Sequence, residues 1–393
     1  MKVLQVGWRG RATQGMYENG HNVTVIASFA QKDWGFDRAR FAEKIILVEN
    51  LKDCEHVLYS LYEQLTNQVF DAVVAFDEYN LLMAHEVASA LGVKFYDHLL
   101  ISRMRSKYLQ KKYLESLKIS CAETQLIVDI CDYEKTFKFP FVIKPVSGAG
   151  TVNTFIVKDE ASNKVVFEKL TKLSARTFLI ESFQKGIEHH FDGWVIDGKL
   201  AFWHCGRYLN NVIEIQRGNT LTSLSTLSIQ DDKFHNNAKN FLEKVLTGLD
   251  YKNGCFHLEA FYNDMEWQFS EMGMRVGGAG IPLFFENQLG VDLFKISSEI
   301  LLGDKVSQVD KKINEFSGWV NLPCRTGKIV SIPKEKDFLN LSGVKAIDIE
   351  LSEGFVFSGI SYGSFVKLGT SVVVGNSEKD FKEKVEKIIK VGR

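Results

Sequence analysis

The sequence predicts an α/β chain of several packed units, a Rossmann-like one first and α+β ones after it. Three observations predict this. Short β-rich runs alternate with helical patterns through the first hundred residues, the signature of a parallel sheet covered by helices. Beyond residue 140, strand signals follow one another across glycine- and asparagine-bearing turns, as in hairpins. The 393 residues also exceed the roughly 250 to 300 at which a single hydrophobic core stops growing, so two or three units are expected.

In the first unit the strands are expected at Lys2 to Val6, Asn22 to Ala27, Ile45 to Val48, Asp71 to Ala75 and Lys94 to Tyr96. Gly20-His21-Asn22 ends a helix before the second strand, Asp53 to Gln68 is long enough for another, and Leu81 to Leu91 is closed by Gly92. Gly7-x-x-Gly10 lacks the G-x-G-x-x-G dinucleotide fingerprint, so no nicotinamide site is expected. A basic amphipathic helix from Ser102 to Ser120 opens a new domain. Phe141 to Pro145 is a strand, Ser147-Gly148-Ala149-Gly150-Thr151 a glycine loop and Thr154 to Val157 the return strand of a hairpin. Further strands are expected at Thr177 to Ile180, Glu188 to Val195, Lys199 to Gly206, Gly254 to Tyr262 and Trp267 to Met272, with a helix between Lys233 and Leu246. A glycine-rich turn and a helix ending near Leu302-Gly303 follow. The tail reads as short strands at Lys328 to Ser331, Lys345 to Leu351 and Ser371 to Gly375 and a last helix from Glu378 to Lys390.

Composition narrows the function. Apolar residues make up 45% and charged residues 25%, as in ordinary globular proteins. Lys plus Arg (48) nearly balances Asp plus Glu (49), so the molecule as a whole has no electrostatic drive toward nucleic acid or acidic lipid. The first residues reach Arg9 and Arg11 too soon for a secretory apolar region, and no apolar run approaches the roughly 18 residues that span a bilayer. A cytoplasmic protein is expected. Six cysteines stand without any C-x-x-C, which suggests reduced thiols instead of a disulfide framework or zinc knuckle.

Two features carry chemistry. Ser147-Gly148-Ala149-Gly150 follows a strand that ends near Lys144, so exposed amides and an ammonium could together hold phosphate oxygens. Alone, this loop could equally be a structural turn, and it lacks the Walker pattern. The second feature is Glu259 in His257-Leu258-Glu259-Ala260-Phe261 and Glu271 in Phe269-Ser270-Glu271-Met272-Gly273, on two apolar strands joined by Asn263-Asp264-Met265-Glu266. Pairing across that turn brings the two carboxylates together, and two buried carboxylates must be neutralised. Magnesium bridging nucleotide phosphates would do this; lysine or arginine salt bridges would do it too.

Phe139-Pro140-Phe141-Val142-Ile143-Lys144-Pro145, the glycine loop, Glu181-Ser182-Phe183-Gln184-Lys185-Gly186-Ile187-Glu188, His257-Leu258-Glu259 and Glu271-Met272-Gly273-Met274-Arg275 stand in the order and spacing of the ATP-grasp superfamily. The chain resembles that superfamily over nearly its whole length. Its layout is similar to D-alanine:D-alanine ligase and biotin carboxylase, and its Arg275-Val276-Gly277-Gly278-Ala279-Gly280 stretch resembles the L-amino acid ligases, or dipeptide synthetases. The resemblance implies an ATP-grasp fold with an N-terminal Rossmann-like pre-ATP-grasp domain (1–100), a lid subdomain (101–185), a large subdomain (186–305) and a C-terminal subdomain (306–393) packed on the large one.

By position, Lys107 and Lys144 resemble the two lysines that hold ATP phosphates, with Lys144 also near the adenine. Glu181 and Phe183 match the hinge that meets the adenine edge, and Glu188 the carboxylate that accepts the ribose hydroxyls. Ser147, Gly148, Ala149 and Gly150 match the phosphate loop, and Glu259 and Glu271 the metal ligands. Arg275 matches the arginine that draws the substrate carboxylate and transferring phosphoryl group together, with the Gly277 and Gly278 amides beside a tetrahedral oxyanion. Gly273 stands where many relatives place asparagine, so one metal contact is lost or supplied by water. His257 is either a substrate or phosphate contact or a satisfied strand histidine. Trp203, His204, Tyr208, Glu214 and the turn after Arg275 are candidates for the substrate wall.

The resemblance implies ATP and two Mg2+ (or Mn2+) as cofactors, a carboxylate-amine ligase acting through an acyl phosphate, and amino acid or small amine substrates. It implies no nucleic-acid or membrane partner; relatives are commonly dimeric, so a homodimer is one option, and the sequence leaves the oligomeric state open. Two other readings stay open. One is a catalytically silent ATP-binding module, against which the full set of lysines and carboxylates speaks. The other is a ligase that passes its acyl group to a thiol or carrier protein, or carboxylates a small amine.

Overall fold

The structure, a computed structural model, describes residues 1–33, 36–65, 68–133, 137–148, 150–173, 175–217, 219–228, 231–309, 313, 315–324, 326–357 and 367–392. The N-terminal unit is a parallel sheet of β1 (Lys2–Val6), β2 (Asn22–Ser28), β3 (Lys44–Val48) and β4 (Ala72–Val74) in the order β3-β2-β1-β4. Val3, Leu4, Val6, Val25 and Ile26 are buried, as a sheet covered on both faces requires.

The expected fifth strand, Lys94 to Tyr96, does not form. That run docks the unit on its neighbour: Tyr96 donates to the Asn253 carbonyl at 2.8 Å and its ring lies on Tyr251. Packing has taken a β-rich segment that sheet pairing did not use. The single helix expected over Ser102 to Ser120 is two, His98–Arg105 and Lys107–Ser116. Ser106 between them is extended (φ −124°, ψ 105°), and its hydroxyl caps the second helix by accepting from the Leu109 amide at 3.3 Å. Lys107 therefore opens a helix instead of lying inside one.

A second, antiparallel sheet holds β5 (Thr124–Ile127), β6 (Phe141–Pro145), β7 (Phe155–Val157) and β8 (Phe178–Ser182) in the order β5-β8-β6-β7. Phe141, Ile143, Phe178 and Ile180 face its core with Val166 and Leu170 of the helix Glu160–Leu170. The alternate residues, Val142, Lys144 and Glu181, therefore face the opposite way, into the cleft.

The remaining strands are β9 (Ile187–Ile196), β10 (Lys199–Tyr208), β11 (Thr222–Ser225), β12 (Gly254–Asn263), β13 (Glu266–Gly273), β14 (Phe316–Leu322), β15 (Gly327–Lys328), β16 (Val344–Ile349), β17 (Val356–Phe357) and β18 (Gly369–Gly375). Eight of them form one central sheet, β13-β12-β9-β10-β11-β14-β18-β16, while β15 and β17 pair separately. The strands after residue 306 thus extend the sheet begun before it. One face of the β9–β13 region packs on Ala238, Leu242 and Val245 of the helix Asp232–Gly248. On the other face, Trp194 and Cys255 meet Leu293, Ile296 and Ile300 of the helix Leu293–Leu302. The N-cap of that last helix and the turn before it also join the first unit, through ion pairs from Arg11 to Asp292 (2.8 Å) and Glu286 (2.7 Å). All six cysteines are free. Among the described residues no helix is long and apolar enough to cross a membrane.

Candidate active site

Between the second sheet and the central sheet lies a cavity of about 170 Å³. The wall on the side of the second sheet is built on charge. The Glu181 carboxylate is held between two ammonium groups, Lys144 at 3.0 Å and Lys111 at 3.2 Å. Burial would raise the carboxyl, but Lys111 and Lys144 hold it below the usual range. Burial pulls the Lys144 ammonium down, yet Glu181 and then Glu271 raise it above its ordinary value. For the fully buried Lys111, burial wins and the ammonium is lowered despite Glu181.

Lys107 reaches across from its helix start. Its ammonium lies 3.0 Å from Glu271 and donates to the Gly148 carbonyl, while its backbone amide donates to Val146 at 3.1 Å. Gly148, Gly150 and Phe183 line the cavity. Ser147 does not: its carbonyl accepts from Arg105 at 3.3 Å outside the wall. Ala149 lies outside the described residues.

The facing wall belongs to the central sheet. Strand alternation sends Glu188 and His190 of β9, Tyr208 of β10 and His257 and Glu259 of β12 to one face. On β13 alternation alone would fail. Trp267 and Phe269 face the core, so regular pairing would turn Glu271 inward as well. A β-bulge prevents this: Ala260 pairs with Phe269, Glu259 pairs with Glu271, and Ser270 is the extra residue. Ser270 and Glu271 both line the cavity, and Met272 returns to the core.

The carboxylates on this wall have unequal partners. Burial would raise Glu271, but Lys107 and Lys144 hold it down to about 2. Glu259 has Tyr208, which donates to it at 3.3 Å, and His257 Nε2 at 3.4 Å. Glu188 accepts from the Val212 amide at 2.7 Å, yet burial and then Glu259 push its carboxyl up to about 8.

Asp192 lies beneath this wall and bonds two histidines, His190 at 2.5 Å and His257 at 2.8 Å. Burial opposes its charge, but the histidines hold it well below the usual carboxylate range. Burial likewise opposes a charged His257, but Asp192 and Glu259 push it up to about 10. His257 also lines the cavity, so it is a charged group at the site as well as a partnered strand residue.

Gly277 packs on this pair: a Cβ there would sit 2.3 Å from the Asp192 carboxylate and 3.0 Å from His257. Gly277 is thus behind the cavity wall, whereas Gly278 is on it. Arg275 lines the cavity, its Nε donating to Glu78 at 3.0 Å and one terminal nitrogen to the Val276 carbonyl at 2.9 Å. Glu78, from the turn after β4, also meets Arg105 at 3.3 Å. Burial would raise Glu78, but Arg275, Lys107 and Arg105 hold it below its ordinary value. A Cβ on Gly273 would press on Arg275, 3.3 Å from Cγ and 3.4 Å from Nε, so the small residue gives the arginine room.

Of the four side chains expected on the substrate wall Tyr208 alone lines the cavity, while the turn after Arg275, also expected there, reaches it at Gly278 and Ala279. Trp203 packs on Phe191 in the helix-side core, because it alternates out of phase with Tyr208. His204 is buried away from the cavity against Ser225, at 3.0 Å, and Glu214 is also off the wall. Lys111 and Glu78 were not foreseen as site residues. Lys111 had a signal, lying one helical turn after Lys107 on a basic face. Glu78 had none, since only tertiary packing brings it to Arg275.

No family model matches the chain. It is 23% identical over 337 residues to an L-arginine-specific L-amino acid ligase of Bacillus subtilis, covering 83% of this chain and 81% of that protein. It is 25% identical over 316 residues to dapdiamide A synthase of Enterobacter agglomerans, covering 75% and 73%. Among solved structures it superposes on an L-amino acid ligase from Bacillus licheniformis with a TM-score of 0.80 at 16% identity, over 98% of this chain and 96% of that one. A carboxyaminoimidazole ribonucleotide synthase from Aspergillus clavatus, complexed with ATP, superposes with a TM-score of 0.74 at 14% identity, over 99% and 98%. The chain has the ATP-grasp fold, with the N-terminal unit that accompanies it in these ligases.

Proposed function

We propose that this chain is an ATP- and magnesium-dependent carboxylate-amine ligase that joins an amino acid to a second amino acid or small amine through an acyl phosphate, releasing ADP and phosphate. The observation that carries this reading is a cavity with opposed charge: Lys107 and Lys144 on one side, Glu259 and Glu271 on the other, and Arg275 at the end. A triphosphate needs cationic groups on every side, and carboxylates can supply one only by holding divalent cations. The relatives named above as amino acid ligases point the same way.

The residues fit such ions. Glu259 and Glu271 are cross-strand partners on the cavity wall, and among the described residues Glu259 is paired with no lysine or arginine. Glu259 and Glu271 would hold two Mg2+ or Mn2+, which would cancel charge on the phosphates and polarise the phosphoryl group under attack. In this account Lys107 leaves Glu271 for the phosphates, and Lys144 keeps Glu181 while reaching toward them. Phe183 and Glu181 border the nucleotide base, and Glu188 accepts the ribose hydroxyls.

Arg275 gathers the substrate carboxylate and the incoming phosphoryl group, an arrangement that favours transfer by position and charge. The acyl phosphate is easily hydrolysed, so the glycine loop and the lid must exclude water while the amine attacks. His257, kept charged by Asp192, faces the cavity as a hydrogen-bond donor and so does not serve as the base. The Gly278 amide at the wall steadies the oxyanion, and Gly277 keeps that loop close to Asp192.

The test is to incubate the chain with ATP, Mg2+ and pairs of amino acids, following ADP and phosphate release and product masses. Release that needs both partners, with a product lighter by one water than their sum, supports the reading. Release without an amine, yielding a carboxylated or thioester product, rejects it.

A further inference from the structure

A second cluster of ligand atoms lies on the N-terminal unit, on the helix Leu81–Leu91 and at the start of His98–Arg105. The connection between these helices folds His98 back onto His85, with ring centroids 5.0 Å apart. One ligand atom from each of His85, Glu86 and His98 lies within 4.8 Å of the others. His85 Nδ1 is buried and makes no hydrogen bond, which is uncommon for a buried polar atom.

His190, Asp192 and His257 are equally close, but hydrogen bonds of 2.5 and 2.8 Å account for that and fill the space an ion would need. No hydrogen bond or ion pair joins His85, Glu86 and His98 among the described residues. The three are brought together by the turn between the helices and not by attraction for one another.

We propose that His85, Glu86 and His98 form a transition-metal site, separate from the cleft carboxylates and taking an ion such as Zn2+ or Ni2+. Two imidazoles and one carboxylate suit these borderline ions, whereas Mg2+ prefers oxygen alone. Tetrahedral Zn2+ at about 2.0–2.1 Å from each ligand sets them roughly 3.3 Å apart, a contraction that partly exposed side chains can make by rotating. Water completes the shell on the open side. The ion would tie Leu81–Leu91 to the helix that ends at Arg105, one of the two arginines on Glu78.

The test uses the whole chain, stripped with chelator, held in excess Mg2+ to fill the cleft site, and titrated calorimetrically with Zn2+. One equivalent per chain is expected, with a rise in melting temperature. Glu86→Gln should weaken binding about tenfold, and His98→Ala should abolish both the equivalent and the rise. Both side chains are exposed, so circular dichroism of the metal-free variants should match the parent. Absence of a zinc equivalent, or equal binding by parent and His98→Ala, overturns the site.

Discussion

At the scale of single residues, the roles proposed for Glu271 and Arg275 predict different losses when each is removed. Glu271→Ala removes a charged wall group and no core contact, so it should leave the fold intact and lower ATP turnover by about 10²–10³-fold, the loss typical of removing one charge-stabilising group. Full activity in that variant would remove Glu271 from the metal site. Arg275→Ala should lower kcat far more than it raises the KM for ATP, since in the proposed reaction the guanidinium acts on the transferring group and not on the nucleotide. An unchanged kcat would take Arg275 off the reaction path. The sequence made these charged residues legible because each sits in a local pattern of strand, turn and loop. Ser147 and Gly277 were assigned to the site from the same stretches, and both lie behind the wall, since a motif fixes the course of the backbone but not which neighbouring atom reaches the cavity.

At the scale of elements, the hairpin β12–β13 shows what local pattern can and cannot reveal. Its turn has Asp264 and Met265 at φ 48° and 71°, as a two-residue hairpin loop requires. The pairing of the strands was therefore legible, while the bulge that aims Glu271 was written in the apolar order Trp267, Phe269, Met272, where a step of two becomes a step of three. Tyr96 and Ser106 mark the opposite case, in which docking and a helix cap overrode propensity. The loop after Arg275 gives a stability test. A Cβ on Gly280 would lie 2.5 Å from the Trp319 ring of β14, so Gly280→Ala should destabilise the chain by about 1–3 kcal/mol through overpacking. Urea denaturation measures this, and an unshifted midpoint would mean the loop is free to move off the sheet.

Across the whole molecule, charged groups from separate units meet at the cleft. Glu78 of the first unit holds Arg275 and Arg105, and Glu181 of the second sheet holds Lys111 and Lys144. Both carboxyls sit below their ordinary value in the folded chain, so the stability they contribute is present above the unfolded value of about 4.3 and is lost as pH falls through the lower folded values. Urea midpoints should therefore drop steeply below about pH 4.3, and Glu78→Gln should start lower at neutral pH and fall less. Parallel curves for parent and variant would contradict this. Alternation of β-rich runs with helical patterns made the parallel first sheet legible, but the single central sheet that runs past residue 306 was not, because pairing of β11 with β14 joins strands that no short pattern connects. The central claim is that the γ-phosphoryl group passes to a substrate carboxylate inside this cleft. Its most direct test is turnover with a carboxylate substrate labelled with ¹⁸O on both oxygens, followed by mass spectrometry of the phosphate released. One ¹⁸O atom in each phosphate, with ADP as the nucleotide product, is the predicted result; unlabelled phosphate, or AMP with pyrophosphate, would contradict it.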